Sequence, residues 1–390
     1  MTIDWRRIRP SHVLLAFIFA AGLYATVLRF TLGLGATTHL SDRFPWGLWI
    51  GFDVLCGVML AAGGFTLMAT VHIFHIERFR PIVRPALTTA FLGYSLVVLA
   101  LLFDLGRGDR IWHPLIMWNP RSVMFEVGWC VTLYTTVLAL EFAPVVFERL
   151  RLERPSRILH MISAPLVIVG VILSILHQSS LGSLYLIVPD KLHPLWYSPL
   201  LPVFFFLSAL VVGLAMTIFE SSMSARHFGR QLELPLLVDL GRIMTVLLWV
   251  YAVLRVQDLY HRSALRLAFQ WGYEADLFWL EVGLGLVLPL LLLARRQVRT
   301  SANGLYLVSV LVVAGFVTNR LNVGITGMEA SAGLRYIPKW TEVAVTASIV
   351  ALGIVLFGLA ARHLGIFAAE AEHKFSSPEG ARALSPHAAD

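Results

Sequence analysis

The sequence contains little charge and few cysteines. Only 14% of its 390 residues are charged, against roughly 25% in an ordinary soluble domain, while 57% are hydrophobic and the mean hydropathy is +0.75. Cys56 and Cys130 have no CxxC neighbour, so the chain alone cannot provide the about four thiolates that an iron–sulfur cluster requires. The net charge of +7 comes from arginines in short segments between apolar runs, which argues against binding to nucleic acid. The sequence therefore indicates a polytopic membrane protein.

Ten apolar segments are long enough to cross a bilayer as helices, at about 20 residues per crossing, and they lack the alternation of barrel strands. The predicted fold class is therefore all-α. The segments lie at roughly 11–33, 46–74, 83–105, 122–147, 158–180, 197–223, 234–257, 274–295, 303–323 and 341–363. The basic stretch Trp5-Arg6-Arg7-Ile8-Arg9 leads into the first span without a small-residue cleavage site, so we expect that span to be retained.

The distribution of basic residues predicts the orientation. The segments on the N-terminal side of the membrane carry about twice as many lysines and arginines as those on the opposite side, so the positive-inside rule places both termini in the cytoplasm of a bacterial inner membrane. We interpret residues 1–367 as one transmembrane domain. The polar, Ser- and Pro-bearing stretch 368–390 is expected to be a disordered cytoplasmic tail.

A weak internal repeat divides the transmembrane domain. Glu126-Val127-Gly128 in the fourth span recurs as Glu281-Val282-Gly283 in the eighth, and Asp104 recurs as Asp258 at nearly the same separation. A unit of four helices returns the chain to its starting side, so the halves would be parallel repeats. We expect two four-helix bundles, at 46–180 and 197–323, with the first and tenth spans flanking them.

Polar residues gather near the outer ends of the spans, where lipid does not favour them. The fifth span turns abruptly polar at His177-Gln178-Ser179-Ser180. Such groups could bind the head of a quinone, whose carbonyls need hydrogen-bond donors and whose reduction takes up two protons. The candidates for proton chemistry are Glu126, His177 and Tyr94, and the candidates for binding are Asp53, Asp104, Arg255, Asp258, Asn319, Arg320 and Asn322. No metal site is expected.

Structural roles compete with these assignments. Glu126 can favour the positive end of a helix dipole, and His177 can bond a neighbouring carbonyl group. Arg255 and Asp258 are spaced as a helical ion pair, and the stretch from Asn319 to Asn322 can end the ninth span. Trp46, Trp49, Trp112, Trp118, Trp196 and Trp271 are interpreted as an interfacial belt.

A second polar group lies at inner depth and can either relay protons or simply be paired at helix ends. It comprises His72, Glu141, His160, Glu220, Asp239 and Arg242. Haem is not expected, because His160 and His177 fall on different faces of one helix and no other span has a spaced histidine pair. His72 with His160 is the one plausible couple.

Five stretches resemble a known family. They are FPWGLWIGFDVLCGVMLAAGGF from Phe44, LTTAFLGY from Leu87, SVMFEVGWCVTLYTTVLALEFAP from Ser122, LHQSSLGSLYLIVPDKLHPLWYSPLLP from Leu176 and NRLNVGITGM from Asn319. These runs are similar to the NrfD/PsrC superfamily of quinone-interacting membrane subunits, above all to the HybB-like subunits of periplasmic nickel-iron hydrogenases. The resemblance extends from about residue 11 to 363.

The resemblance implies two four-helix bundles with flanking helices and no haem or iron–sulfur cluster in this chain. It implies a substrate, menaquinone or ubiquinone, and a periplasmic ferredoxin-like iron–sulfur partner, here with the large and small subunits of a nickel-iron hydrogenase. The positions matching Tyr94, Glu126 and His177 are associated in HybB-like proteins with quinone and proton chemistry. Arg255 and Asp258 fall in another family-like run, YAVLRVQDL.

The resulting hypothesis is a quinone-binding subunit that is inactive alone. An iron–sulfur partner would dock over 106–121 and 181–196 and pass electrons to a quinone near Glu126 and His177, with proton translocation left open. Two alternatives stay open: a secondary transporter, favoured by the repeat, and a membrane anchor without chemistry of its own. Pro165 and Pro289 do not occupy corresponding positions in the two halves, as broken transporter helices would.

Overall fold

The computed structural model describes residues 10–367, so the predicted tail at 368–390 lies outside the described residues. Within the described range, ten helices are long and apolar enough to cross a membrane, which confirms the predicted all-α fold class. They are α1 (Pro10–Leu32), α2 (Trp49–Ile73), α3 (Glu77–Asp104), α4 (Val123–Arg149), α5 (Ser163–Ser183), α6 (Leu201–Phe228), α7 (Leu234–His261), α8 (Tyr273–Ala294), α9 (Ala302–Ala332) and α10 (Trp340–His363).

Two helix boundaries differ from the sequence prediction in ways that affect the site. Asn319 and Asn322 do not end α9, because the helix continues to Ala332 through a π-helical turn at Asn322–Thr326. His160 does not belong to α5, since it lies in the separate short helix Glu153–Met161. The interpretation of 319–322 as a helix end is therefore wrong, and these polar groups lie within a packed helix.

The helices contact one another in two groups. In the first group, which we call the first bundle, α4 packs on α5 and α3, and α2 packs on α3 and α5. In the second bundle, α6 packs on α7 and α9, and α8 packs on α9. Helix α6 joins the groups through contacts with α2 and α5, whereas α1 and α10 pack together against α3 and the start of α2.

Small residues allow the closest helix approaches. In the second bundle, a Cβ atom added to Gly315 of α9 would lie 2.1 Å from the backbone nitrogen of Gly285 in α8. Between the bundles, a Cβ atom added to Gly213 of α6 would lie 2.9 Å from the backbone of Gly63 in α2. Close backbone approach through small residues is a common way to pack helices in lipid, where apolar side chains gain little from leaving the membrane.

The connections between spans alternate between two ends of the molecule. We call the end that carries the segments 105–122 and 184–200 the upper end, and the end that carries 150–162 and 229–233 the lower end. The segment 184–200, which we call the connecting segment, links α5 of the first bundle to α6 of the second. Trp196 in this segment is fully buried rather than part of an interfacial belt, and so is Trp49 at the start of α2.

Candidate functional site

Buried polar side chains without partners lie together inside the first bundle. The rings of Tyr94 in α3 and His177 in α5 meet edge-on with their centroids 5.5 Å apart, and Tyr134 in α4 meets Tyr94 in the same way at 4.6 Å. All three are at most 1% exposed. Within residues 10–367, neither imidazole nitrogen has a hydrogen-bond partner, and the two tyrosine hydroxyls lie near Ser174 and Gln178 without a hydrogen bond of good geometry to them. Buried polar groups are rarely left without hydrogen-bond partners in folded proteins, and such exceptions point to function.

Two further side chains of α5 complete this interior group. Ser174 is fully buried, and its hydroxyl lacks a partner among the described residues. Gln178 is also fully buried, and its amide nitrogen donates to the carbonyl oxygen of Val58 at 3.0 Å. Its amide oxygen has no donor in the described part of the chain. The interior of the first bundle therefore presents several polar atoms whose hydrogen-bonding capacity is not used by the protein.

Glu126 lies on the outside of this bundle. It occupies the first turn of α4, after Ser122, whose hydroxyl accepts from the backbone N–H of Phe125 at 3.4 Å. Glu126 is exposed, whereas Ser180 of α5 is 3% exposed. The Ser180 hydroxyl has two acceptors for its single proton, the Glu126 carboxylate at 2.5 Å and a carbonyl oxygen of its own helix at 2.7 Å. Ser180 stands one helical turn from His177. The carboxylate thus has both the favourable dipole position expected of it and a direct link to the helix that carries His177.

Asp53 and Asp104 lie apart from His177, between the first bundle and the flanking helices. Asp53 is 6% exposed and accepts from the hydroxyl of Thr346 in α10 at 2.8 Å. One carboxylate oxygen of Asp104 is buried without a partner in the described range. Arg29 of α1 donates to the carbonyl oxygens of Phe103 and Leu105 at 2.7 and 2.8 Å, which fixes the upper end of α3 beside Asp104.

Glu342 extends this flanking cluster and was not predicted from the sequence. It is fully buried at the start of α10 and accepts from the backbone N–H groups of His39 and Lys339 at 3.0 and 2.8 Å, and from the hydroxyl of Tyr336. Burial and the bond to Glu342 raise the pKa of Tyr336 above its ordinary value. These bonds tie the segments before α2 and α10 together, so the cluster serves the docking of the flanking helices.

Arg255, Asn319 and Asn322 converge on a carboxylate in the second bundle. That carboxylate is Glu281, which is 5% exposed. Asn319 and Asn322 donate to it at 3.1 and 2.7 Å, and a terminal guanidinium nitrogen of Arg255 lies 4.0 Å away. Trp196 of the connecting segment donates its indole N–H to the second carboxylate oxygen at 3.0 Å. In contrast to His177, this group is saturated with partners.

Asp258 and Arg320 have separate environments. Asp258 does not form the ion pair with Arg255 that the sequence spacing allowed; it pairs with Arg262 at 2.7 Å and accepts from Ser198 at 2.7 Å. Arg320 is 1% exposed, with its guanidinium 3.5 Å from the ring centroid of Phe205. It donates to the hydroxyl of Ser208 at 2.8 Å, so it joins α9 to α6.

The two bundles share one geometric plan at this depth. In the first, Tyr94 meets His177 edge-on and Glu126 bonds Ser180, three positions further along α5. In the second, Tyr251 of α7 meets Phe316 edge-on at 5.1 Å, and Glu281 bonds Asn319, three positions further along α9. The Glu-Val-Gly repeat therefore coincides with a repeated arrangement of side chains, in which phenylalanine replaces the histidine.

The inner-depth group is mostly paired near the lower end. Asp239 bonds Arg78 at 2.8 Å and Arg242 at 2.9 Å, and His160 lies 3.7 Å from Glu148. His72 bonds the carbonyl oxygen of Met68 at 3.3 Å. Two carboxyl groups of this set have other surroundings. Glu220 of α6 accepts from Thr89 at 2.7 Å and lines a cavity of about 520 Å³, while Glu141 of α4 lies beside Gly170 and Tyr134 in the first bundle.

No group of three or more His, Cys, Asp or Glu side chains among residues 10–367 is arranged to hold a metal ion.

The predicted site residues fall into three places: Tyr94, His177 and Glu126 at the first bundle, Asp53 and Asp104 at the flanking helices, and Arg255, Asp258, Asn319, Arg320 and Asn322 at the second bundle and its junction with the first. Sequence reasoning missed Tyr134, Ser174, Ser180 and Glu281 as members of these clusters. The repeat was a signal for Glu281, and the polar run after His177 was a signal for Ser180.

Comparison with known proteins places this fold in a family. Residues 36–332 match the family described as polysulphide reductase, NrfD. A protein of Nitratidesulfovibrio vulgaris is 40% identical over 379 residues, which cover 94% of this chain and 96% of that protein. The probable Ni/Fe-hydrogenase 2 b-type cytochrome subunit of Escherichia coli K12 is 36% identical over 346 residues, covering 87% and 88%. The menaquinone reductase integral membrane subunit of N. vulgaris is 30% identical over 393 residues, covering 92% of each. The chain is an integral membrane protein that belongs to the NrfD polysulphide reductase family.

Proposed function

We propose that this protein is the quinone-reactive membrane subunit of a respiratory oxidoreductase complex. Its substrate is a membrane quinone, which takes up two electrons and two protons to become the quinol. The observation that carries the proposal is the set of unpartnered polar atoms around His177 and Tyr94, together with Ser180, which lies one helical turn from His177 and donates to the exposed carboxylate of Glu126. Two relatives support it by name, one as a hydrogenase subunit and one as a menaquinone reductase subunit.

Each side chain has a role that its position favours. Glu126 lies where a quinone head can approach from the lipid, and it can exchange a proton with a quinone oxygen. His177 can donate through one ring nitrogen and accept through the other, so it suits proton transfer behind the carboxylate. Ser180, one turn along α5 from His177, holds the Glu126 carboxylate beside this helix, and Tyr94 orients the imidazole by edge-on ring contact. Tyr94, Glu126 and His177 are thus the proposed catalytic set.

Protons for this chemistry are proposed to come from the lower end. Glu141 and Tyr134 both lie beside Gly170, where an added Cβ atom would be 3.4 Å from the carboxylate and 3.9 Å from the ring. Tyr134 contacts Tyr94, and Tyr94 contacts His177. The resulting series of ionisable or hydroxyl-bearing side chains runs up the first bundle from Glu141 to Glu126. Proton uptake at the lower end and reduction of the quinone at the upper end would move charge across the membrane during quinone reduction.

Electrons are proposed to arrive at the upper end from an iron–sulfur subunit, with a nickel-iron hydrogenase as their source. The segment 105–122 offers an exposed surface of Trp112, Ile116, Met117 and Trp118 next to the start of α4. Exposed aromatic and methionine side chains are favoured at protein interfaces. We place this partner, and with it the upper end, in the periplasm, which puts both termini in the cytoplasm.

The test compares the rates of quinone reduction of the wild-type protein and its variants, each purified with the partner subunits and reconstituted in lipid. Glu126→Gln keeps the size of the side chain and an oxygen acceptor for Ser180 but removes the proton-accepting carboxylate. We expect it to lower hydrogen-dependent quinone reduction by about 100-fold. Glu153→Gln, on the exposed lower helix, is the matched control and should retain the rate. Unchanged reduction in both Glu126→Gln and His177→Phe would refute the proposed site, and co-purification without any quinone reduction would favour a mere anchor.

A further inference from the structure

The connecting segment is bonded to the second bundle at five neighbouring residues. The backbone N–H of His193 donates to the carbonyl oxygen of Gly327 at 2.7 Å, and Trp196 donates to Glu281 at 3.0 Å. The remaining bonds are from Arg262 to the carbonyl oxygen of Pro194 at 2.8 Å, from Arg255 to that of Leu195 at 2.8 Å, and from Ser198 to Asp258 at 2.7 Å. Five of the six residues from 193 to 198 therefore bond a side chain or carbonyl group of α7, α8, α9 or of Arg262, which directly follows α7.

These contacts engage charged side chains of the second bundle in hydrogen bonds. Glu281 has three side-chain hydrogen bonds, while Arg255 and Arg262 each donate to a carbonyl group of the connecting segment. Glu281 occupies the place in the second bundle that Glu126 occupies in the first. The place of His177 is taken by Phe316, which has no proton to exchange. Gly285 and Gly315 also bring α8 and α9 into backbone contact beside Glu281 and leave a cavity of only about 10 Å³ there.

The connecting segment is equally tied to the proposed catalytic helix. It follows directly from α5, whose last turn packs on the start of α6: a Cβ atom added to Gly182 would lie 2.7 Å from the backbone of Leu201. Tyr185, in the first turn of the segment, is 1% exposed and meets Trp46 edge-on at 5.7 Å. A shift of this segment would therefore move the end of α5, where His177 and Ser180 lie.

We propose that Glu281, with Trp196 and Arg255, is a positioning anchor. It fixes the connecting segment on the second bundle and thereby holds the last turns of α5 in register with Glu126 of α4. Glu281 is then not a second proton carrier, although it is the repeat counterpart of Glu126, and each chain has a single site of quinone chemistry. The catalytic consequence rests on the function proposed above, whereas the anchoring itself does not.

The anchoring is tested by hydrogen–deuterium exchange on the full chain in its complex, reconstituted in lipid and without turnover. Trp196→Phe keeps an aromatic ring but removes the N–H that bonds Glu281, together with part of the buried indole, and Glu281→Gln removes the charge at the centre of the cluster. We expect each to speed amide exchange in residues 176–200 by about tenfold or more, with α1 and α10 unchanged. Trp271→Phe is the control, because this tryptophan is 103% exposed, and it should leave exchange as in the wild type.

The catalytic consequence is tested by the pH profile of quinone reduction. An anchor that only positions α5 predicts a lower rate in Trp196→Phe and Glu281→Gln with the wild-type pH profile, whereas Glu126→Gln should alter the profile and leave exchange in 176–200 unchanged. Wild-type exchange in both anchor variants would overturn the proposal whatever their activity. An altered pH profile in Glu281→Gln with a normal one in Trp196→Phe would overturn it too, because Glu281 would then carry protons. Failure of the quinone function alone would appear as normal activity in Glu126→Gln and would leave the exchange result standing.

Discussion

His177 and Phe316 occupy equivalent places in the two bundles: each meets a buried tyrosine edge-on, at 5.5 Å from Tyr94 and at 5.1 Å from Tyr251. The phenylalanine fills its place without any polar atom. The histidine brings two ring nitrogens that have no partner within residues 10–367. Packing alone therefore does not require an imidazole here, and its presence favours a chemical role.

Replacing His177 with the residue of the second bundle separates packing from chemistry. We expect His177→Phe to keep or raise the melting temperature, because an apolar ring of similar shape replaces a buried group with unused hydrogen-bonding capacity. Quinone reduction should fall by about 100-fold. Thermal unfolding in lipid and the reduction assay measure the two effects, with the exposed His363→Phe as control. A marked loss of stability would show that the imidazole is needed for the fold.

The link between Ser180 and Glu126 can be tested with a neighbouring serine as control. Ser180→Ala removes the hydroxyl that donates to Glu126 at 2.5 Å, whereas Ser179, which is half-buried, bonds only carbonyl groups of its own helix. We expect Ser180→Ala to slow quinone reduction about tenfold and Ser179→Ala to leave it unchanged. The loss is smaller than for Glu126→Gln because the carboxylate remains. Equal rates in the two alanine variants would contradict a role for the link.

The contact between α8 and α9 predicts an asymmetric response to alanine. A Cβ atom on Gly315 would lie 2.1 Å from the backbone of Gly285, whereas one on Gly285 would lie 3.3 Å from Gly315. Gly315→Ala should therefore destabilise the protein by about 1–3 kcal/mol through overpacking, and Gly285→Ala by less. Gly283→Ala is the control, since nothing lies within 4 Å of its Cβ position among the described residues. Thermal unfolding of the three variants should rank them in this order.

The fold was predictable from the sequence because crossing a bilayer demands long apolar helices, and ten such runs are visible. The boundaries failed where helices continue through polar residues. Asn319 and Asn322 read as a helix end, but Glu281 satisfies their side chains and α9 extends to Ala332. No pattern within one span shows that a carboxylate of another span will neutralise its polar groups.

The candidate site was predictable in part for the same reason. Depth along each helix placed Asp53, Glu126, His177 and Arg255 at one end, but depth does not give the direction in which a side chain points. Rotation about the helix axis separates them: Glu126 faces outward, His177 faces the interior of the first bundle, and Arg255 faces the second. Partners such as Ser180 and Trp196 become visible only when two helices or a helix and a segment are brought together.

Acidification should loosen the connecting segment through His193. Burial lowers the pKa of this histidine below its ordinary value, against an opposite and smaller effect of Glu274. The folded state therefore favours the neutral ring, whose Nδ1 atom accepts from the backbone N–H of Leu195 at 3.3 Å. A lowered folded pKa means that this stabilisation is complete above the unfolded pKa of about 6.5 and is lost as the pH falls through it. Amide exchange in residues 190–198, corrected for its intrinsic pH dependence, should speed up between about pH 7 and pH 5.

A variant without a titratable ring provides the comparison. His193→Gln retains an oxygen acceptor but has no charge to gain, so its corrected exchange in the connecting segment should be the same at both pH values. His363→Gln, far along α10, should keep the wild-type response. If the wild type shows no acceleration on acidification, or if His193→Gln shows the same acceleration as the wild type, protonation of His193 is not what loosens the segment.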